Sequence, residues 1–476
     1  MKATKEEKKQ REIARLQKEL AKPKGKGYMA YFMFIICVIC LADEVVSQIG
    51  GQMQTVIASQ VFAPIVGAEF AVARMSAFGM IGTVAFILAF VYKPLCDRFG
   101  RRPFLIINTL GMGLGTILVA ASTNIPVYLI GSCMVTFFVP HDMQAVYIQE
   151  CAPAKHRAKI YFVIKAIGTV GVFMIPVLRS IFIPGTDLTN WRYVFLVPGL
   201  IAVAAGIFAW IFVRESDAFI ETRLRQLQMT DEEIAEAKTK KQAAAQAQGG
   251  LIKAFKYGFG NKQVRWLLVS SALVSFGMIV ASYYETIMTT GYAQQYLAQG
   301  MLLADARAAA NVYVTKALML FSWGSALFML LPGFLADKLG RKKTVIIMSC
   351  TLIASYLLFY YGANHAWNPY LVGLFCGASV GSCWCAGDLV SLMISESTPT
   401  NLRASIMAIQ PLTSTAALLV VSVISTVLIN ILGDVYIGII SLCTMIPGLV
   451  IGLIILTAKA KETNGVDMGA VTGYEE

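Results

Sequence analysis

The dominant pattern along the chain is a series of long apolar runs separated by short polar stretches. Most runs have about 20 residues or more, the length that a helix needs to cross a bilayer core of about 30 Å. A buried helix of a soluble protein is shorter and amphipathic, and barrel strands alternate instead of staying apolar. The pattern therefore predicts an all-α integral membrane protein with twelve transmembrane helices, spans 1 to 12, near residues 28–53, 72–94, 104–123, 127–150, 158–183, 192–213, 264–288, 312–335, 344–362, 369–395, 402–430 and 435–458.

The composition agrees with this pattern. Of the 476 residues, 57% are hydrophobic and 14% are charged, whereas a soluble protein carries about 25% charged residues. These values exclude a disordered chain and argue against a single soluble domain. The net charge of +12 first suggests a nucleic acid or an anionic membrane as partner.

The positions of the basic residues decide between these partners. With the N-terminus in the cytoplasm and the spans alternating, 34 of the 40 Lys and Arg residues fall on the cytoplasmic side. This is the positive-inside bias, so we expect a multi-pass protein of the cytoplasmic membrane with both termini inside. The charge is spread over separate loops, which excludes nucleic acid and leaves membrane lipid as the surrounding partner.

One long polar stretch divides the twelve spans into six and six. We therefore expect a basic cytoplasmic tail, a six-helix bundle, a cytoplasmic linker, a second six-helix bundle and a C-terminal tail, at residues 1–27, 28–213, 214–263, 264–458 and 459–476. In the first tail, Ile13, Leu16 and Leu20 recur at helical spacing among charged residues. The segment 5–20 is either a surface helix on anionic lipid or a solvated tail.

The two halves repeat each other in their loops and span ends. Asp97-Arg-Phe-Gly-Arg-Arg102 after span 2 corresponds to Asp337-Lys-Leu-Gly-Arg-Lys342 after span 8. Glu150-Cys-Ala-Pro-x-x-x-Arg157 after span 4 corresponds to Glu396-Ser-Thr-Pro-x-x-x-Arg403 after span 10. A two-fold repeat of six-helix units is typical of transporters.

At these residues the chain resembles the major facilitator superfamily, closest to its sugar-porter and organic-ion (metabolite–proton symporter) branch. The loops resemble the D-R-x-G-R-R/K motif, and the span ends resemble E-x-x-P-x-x-x-R. Weaker echoes of P-E-S-P-R and P-E-T-K-G occur at Arg214-Glu-Ser-Asp217 and Lys461-Glu-Thr-Asn-Gly465. The resemblance implies two pseudo-symmetric six-helix bundles, one central cavity lined by spans 1, 4, 7 and 10, and alternating access.

The sequence departs from sugar porters in two places. Span 7 lacks Q-Q-x-S-G, and span 4 contains His141-Asp142 with no arginine before Arg157. The resemblance therefore implies neither a hexose nor the aspartate–arginine proton pair of that branch.

The charged loop residues are candidates for a cytoplasmic gate. Ion pairs between helix ends could close this side and break when it opens, as alternating access requires; the alternative is that the basic residues only set the topology. The gate candidates are Asp97, Arg98, Arg101, Arg102, Glu150, Arg157, Asp337, Arg341, Glu396 and Arg403.

Polar residues inside the spans are candidates for proton coupling or solute binding, because a charge at mid-bilayer costs about 2.5–3.5 kcal/mol on insertion scales. Desolvation can also leave such acids protonated near neutral pH. The alternative is a structural interhelical pair. The candidates are Asp142, Glu285, Asp388, Glu44, Asp43, His141, Lys165, Gln48, Gln52 and Ser282. Arg179, near the outer end of span 5, is expected to reach the membrane interface.

The sequence thus predicts a proton-coupled symporter for a small polar organic solute, such as an organic ion or a sugar-like metabolite. More acids than bases in the cavity favour a cationic or neutral solute. The alternatives are a proton-antiport exporter of amphipathic or cationic compounds, and a non-transporting sensor. Neither a nucleophile–base set nor a metal cluster is present in the sequence, so we expect no enzyme activity, no metal and no cofactor. A monomer is expected.

Overall fold

The computed structural model describes residues 5–21, 27–92, 95–139, 147, 150, 164, 167–168, 170–228 and 251–464. All twelve predicted spans contain helix within this part of the chain. The predicted all-α membrane architecture is therefore confirmed, and several helices extend beyond the apolar runs that predicted them.

Ten helices in the described ranges are long and apolar enough to cross a membrane. They are Tyr28–Gln52, Ala71–Ala89, Arg101–Ala120, Trp191–Phe212, Lys262–Leu297, Leu303–Leu339, Arg341–Asn364, Pro369–Glu396, Ser405–Leu432 and Asp434–Lys459. Spans 4 and 5 are described in part, as Ile125–Phe138 and Met174–Phe182. Span 1 continues into the shorter apolar helix Gln54–Val66, which includes a π-helical turn at Ala58–Phe62.

Three further helices lie outside the spans. They are Lys5–Leu20, Asp217–Gln228 and Leu251–Gly260. Short turns of helix at Cys96–Phe99 and Asp434–Tyr436 precede spans 3 and 12.

The chain forms two compact units. The first contains residues 1–50, 78–175 and 191–241, and the second contains residues 51–77, 176–190 and 242–476. Two segments from the first half of the sequence, 51–77 and 176–190, thus group with the second half. They are the end of span 1 with the start of span 2, and the end of span 5.

Small residues allow the helices of the first unit to approach closely. A Cβ atom at Gly199 of span 6 would lie 2.8 Å from Ile117 Cγ1 and 3.2 Å from the Gly113 carbonyl oxygen. Span 6 therefore packs directly on the backbone of span 3, as is common where helices associate in lipid.

The second unit uses the same device between spans 8 and 10. Glycines 373, 377 and 381 recur at four-residue spacing, and a Cβ atom at any of them would overlap the backbone of span 8 at Ala317, Phe321 or Ser325. This stripe of small residues brings the two backbones into contact.

The N-terminal helix Lys5–Leu20 packs on the helix Asp217–Gln228. Leu16, Ile220 and Leu224 are buried together, and Arg223 Nε lies 3.0 Å from Glu12 Oε1. The sequence offered two alternatives for this helix, a surface helix on anionic lipid or a solvated tail. Both are wrong, because its apolar face is covered by the helix Asp217–Gln228.

Candidate functional site

A buried ion pair links the C-terminal end of span 7 to the C-terminal end of span 5 within the second unit. Arg179 Nη1 lies 3.2 Å from Glu285 Oε1, and the two side chains are 1% and 0% exposed. The other carboxylate oxygen, Oε2, accepts hydrogen bonds from Thr55 N at 2.8 Å and Thr55 Oγ1 at 2.7 Å. Both oxygens of the Glu285 carboxylate are therefore bonded to protein groups.

The guanidinium of Arg179 is equally well satisfied. Its Nη2 donates to Asn311 Oδ1 at 2.8 Å, its Nε donates to Thr315 Oγ1 at 3.2 Å, and its Nη1 also donates to the Gln52 carbonyl oxygen. The expectation that Arg179 reaches the interface is wrong, because Glu285 and these oxygens replace its water shell. Arg179 joins the site as a residue that was not among the sequence candidates for coupling or binding.

A second buried pair lies on the same unit. Arg307 Nη1 is 3.5 Å from Asp434 Oδ2, and it donates to the Ala68 carbonyl oxygen at 2.6 Å. The Asp434 carboxylate also accepts from Val72 N and Ala73 N, at 2.9 and 3.0 Å. These two N–H groups belong to the first turn of span 2, where a helix dipole favours a negative charge.

Sequence reasoning missed this pair for a simple reason. Asp434 lies between spans 11 and 12 in no motif, and the preceding Gly433 has a positive φ of 94° that marks only a chain reversal. Arg307 begins the helix whose last turn carries Asp337. The pair is therefore at the end of span 8 opposite to the motif loop.

A cavity of about 320 Å³ opens in the second unit among spans 7, 10 and 11. Its polar wall is a hydrogen-bonded cluster in which Gln410 Nε2 donates to Ser271 Oγ at 2.9 Å and Ser391 Oγ donates to Gln410 Oε1 at 3.4 Å. Asp388 and Ser414 also line the cavity. The sequence pointed to Asp388 but not to Gln410.

The other predicted residues inside the spans occupy separate positions. On span 1, Asp43 is buried, and Glu44 and Gln48 are half-buried in the first unit. Gln52 is fully buried in the second unit, where its carbonyl oxygen accepts a hydrogen bond from Arg179. Ser282 is exposed and donates to the Met278 carbonyl oxygen. His141, Asp142 and Lys165 lie outside the described residues.

The motif loop of the first unit carries an ion pair and a carboxylate cap. Arg101 Nε lies 3.0 Å from Glu150 Oε1. Glu215 Oε1 accepts from Arg101 N and Arg102 N at 3.0 and 3.2 Å. The loop turns at Gly100, whose φ of 110° and contact with Glu215 leave no room for a side chain.

The second unit repeats this arrangement with its own residues. Arg341 lies 2.5 Å from Asp337 Oδ1 and 3.5 Å from Glu396 Oε1. Glu462 accepts from Arg341 N at 2.9 Å and Lys342 N at 3.1 Å. The weak motif echoes at residues 214–217 and 461–465 thus supply equivalent glutamates.

The two capping glutamates differ in their electrostatics. Burial raises the pKa of Glu215 above its ordinary value, and the hydrogen bonds from backbone N–H groups offset this only in part. Burial also acts to raise the pKa of Glu462, but four backbone N–H donors outweigh it and hold that pKa below its ordinary value.

The remaining gate candidates are placed as follows. Arg403 Nε and Nη2 donate to the carbonyl oxygens of Ser395 and Thr398, both at 3.1 Å, at the end of span 10. Arg102 Nη2 donates to the Trp210 carbonyl oxygen at 2.6 Å. The side chains of Asp97 and Arg98, and all of Arg157, lie outside the part that the structure describes.

Comparison with known proteins gives concordant matches. The sequence profile of the family described as "Sugar (and other) transporter" matches residues 72–458. The glucose transporter GlcP of Staphylococcus epidermidis is 23% identical over 353 residues, which cover 70% of this chain and 74% of that protein. The cis,cis-muconate transport protein of Acinetobacter baylyi is 25% identical over 319 residues, with coverage of 65% and 67%.

Solved structures match the fold over nearly the whole chain. A D-xylose–proton symporter superposes with a TM-score of 0.62 at 18% identity, covering 92% of this chain and 99% of that one. The nucleoside transporter NupG superposes with a TM-score of 0.63 at 13% identity, covering 89% and 98%. The fold of two six-helix bundles is therefore supported by the similarity to these solved structures and by the membrane-spanning helices of the chain.

Proposed function

This chain belongs to the sugar (and other) transporter family of the major facilitator superfamily, and on that premise we propose that it is a proton-coupled symporter. It carries one small polar organic solute across the cytoplasmic membrane by alternating access. As a member of this family it is a membrane transporter and not an enzyme.

The observation that carries the proposal is the buried pair Arg179–Glu285. An ionisable pair inside a membrane protein costs desolvation energy that a structural contact between apolar residues avoids. Here the acid is bonded to a backbone N–H of residue 55, in a segment that precedes span 2, and its partner ends span 5. Breaking the pair frees both segments from span 7 at once.

Protonation supplies the trigger for that break. Among the described residues, Arg179, Thr55 and Thr289 contact the Glu285 carboxylate, and the charge of Arg307 also acts on it. A proton from outside neutralises Glu285 and removes its attraction for Arg179, which keeps Asn311 and Thr315 as partners. The outer side then opens, the solute binds, and the proton leaves on the cytoplasmic side with the solute.

The ion pairs of the motif loops brace each half in this account and do not themselves break as a gate. Arg101–Glu150 in the first unit and Arg341–Glu396 in the second tie a loop to the end of a span. They hold each loop rigid, so that six helices move as a body.

The solute occupies the central cavity of the family architecture, and the polar wall of Ser271, Gln410 and Ser414 supports this placement. The moving bodies are the sequence halves 28–213 and 264–458, joined by the linker 214–263. Both termini are cytoplasmic, and the transporter acts as a monomer.

Uptake into proteoliposomes tests the proposal. Purified protein is first screened by thermal shift against glucose, arabinose, inositol and cis,cis-muconate, because bound ligands raise the unfolding temperature. The uptake of a stabilising compound into the vesicles is then measured with and without an inward proton gradient. The wild type accumulates it only with the gradient, and Glu285→Gln retains exchange of solute for solute but loses accumulation.

The matched control is Glu69→Gln, which neutralises an exposed acid elsewhere in the same unit. It is expected to accumulate solute as the wild type does. If the rate of solute uptake is the same after the proton gradient has been collapsed, the result contradicts symport. Proton-driven movement in the outward direction identifies an exporter, and binding without any movement identifies a sensor.

A further inference from the structure

The cavity in the second unit contains a carboxylate, Asp388, that has no basic partner among the described residues. Within the described residues, the side chain of Asp388 makes neither a hydrogen bond nor an ion pair, and it is exposed to the cavity. The buried acids Glu285 and Asp434 differ, because each has an arginine within 3.5 Å. Asp388 is thus the acid whose counter-charge must come from elsewhere.

The described surroundings of Asp388 do not supply that counter-charge. Neither lysine, arginine nor histidine occurs among the described residues that line the cavity. The remaining polar groups are serine hydroxyls and the Gln410 amide, which bond mainly to one another. An uncompensated carboxylate within a span costs several kcal/mol unless a cation or proton joins it.

The other walls favour an organic cation. Trp384 lies one helical turn before Asp388 and lines the same cavity, together with Met278 and Met329. The face of an aromatic ring attracts a weakly hydrated ammonium group, and the polarisable methionine side chains pack against its alkyl groups. The cavity volume of about 320 Å³ is at the lower end of the range of about 300–1,000 Å³ found for ligand pockets.

From this geometry we infer that the transported solute carries an amine or quaternary ammonium group, which Asp388 and Trp384 bind, while Ser271 and Gln410 hydrogen-bond its polar remainder. This inference rests on the proposed transport function and names the class of solute. The same charge disfavours carboxylates, since two anions would share one cavity.

Matched pairs of ligands test the inference by thermal shift on the purified full chain. Glucosamine is compared with glucose, and choline with inositol. Amines are expected to raise the unfolding temperature of the wild type, and Asp388→Asn is expected to weaken their binding by about tenfold or more, equivalent to about 1.4 kcal/mol. Neutral or anionic compounds that stabilise both proteins equally, or a panel in which amines do not stabilise the wild type, contradict it.

A second test needs no ligand. Ser391 lines the cavity one turn after Asp388, so Ser391→Cys places a thiol beside the carboxylate. Because Cys383 lines the same cavity and Cys350 and Cys443 are exposed, the variant is made with these three cysteines replaced by serine. A trimethylammonium methanethiosulfonate is expected to label this thiol several-fold faster than its sulfonate counterpart, and Asp388→Asn should remove that preference. Equal labelling rates for the two reagents overturn the inference.

Failure of the inferred solute class and failure of the proposed proton symport give different results. If Asp388→Asn binds solute normally but loses proton-driven accumulation, Asp388 carries a proton and the inference about the solute fails, while symport stands. If amines bind and a proton gradient never drives their uptake, the solute class stands and symport fails.

Discussion

Glu215 and Glu462 make the same contact in the two repeats: each carboxylate accepts hydrogen bonds from the first two backbone N–H groups of the helix that follows a motif loop. The acceptors lie 3.0 and 3.2 Å from Arg101 N and Arg102 N in the first repeat, and 2.9 and 3.1 Å from Arg341 N and Lys342 N in the second. Both glutamates come from the chain just beyond the sixth span of their repeat. They tie the end of each bundle to its third helix.

Removing either charge should loosen that tie. Glu462→Gln is expected to lower the free energy of unfolding by about 1 kcal/mol, the usual cost of a lost helix cap. Glu215→Gln is expected to cost less, because burial already disfavours the charged form of Glu215 in the folded protein. Thermal unfolding of the purified protein measures the change. The matched control is Glu221→Gln, an exposed position in the helix Asp217–Gln228, which should unfold as the wild type does. Equal effects at all three positions would contradict a capping role.

The two caps should respond differently to pH. The raised pKa of Glu215 means that it takes up a proton above the ordinary titration range of glutamate, so its anionic cap is lost first as the pH falls. The lowered pKa of Glu462 keeps its cap charged until the pH falls below that range.

Hydrogen exchange at several pH values, corrected for intrinsic rates, measures this difference. The N–H groups of Arg101 and Arg102 should lose protection at a higher pH than those of Arg341 and Lys342. Glu215→Gln should abolish the pH dependence at the first pair only. Simultaneous loss at both loops would show that the pKa difference is absent.

The N-terminal helix should detach when its buried contact is removed. Leu16 is 3% exposed against Ile220 and Leu224, and burying a leucine side chain contributes about 1.5–3 kcal/mol. Leu16→Glu should therefore expose residues 5–20 to trypsin and to hydrogen exchange, while the exposed neighbour Gln17→Glu should not. If both variants are cleaved at the same rate as the wild type, the packing seen here does not hold the helix.

The second buried pair is expected to contribute strongly to stability. Asp434→Asn leaves Arg307 buried without a counter-charge, and breaking such a pair typically costs about 3–5 kcal/mol. The variant should unfold at a clearly lower temperature. Asp305→Asn, an exposed acid in the first turn of the same helix as Arg307, serves as the control and should have no effect.

Hydropathy predicted the helices, because the length and apolarity of a span are written in local sequence. The repeated loop motifs pointed to the residues of the pairs Arg101–Glu150 and Arg341–Glu396, and their role as a gate stays a prediction. Contacts between distant helices were not predictable in this way. Arg179 and Glu285 are 106 residues apart, and only the three-dimensional arrangement shows that Asn311, Thr315 and the Gln52 carbonyl replace water around the guanidinium. The N-terminal helix was misassigned for a related reason, since its apolar stripe specifies a partner surface without saying which one.

Proton movement itself is the most direct test of the central claim that Glu285 couples transport to protons. Proteoliposomes are loaded with a pH-sensitive dye, and a solute identified by thermal shift is added outside with no proton gradient imposed. The account predicts that solute entry acidifies the lumen with the wild type and with Glu69→Gln. With Glu285→Gln, labelled solute should still exchange but the lumen should stay at constant pH. Solute entry without acidification in the wild type, or unchanged acidification with Glu285→Gln, would contradict the account.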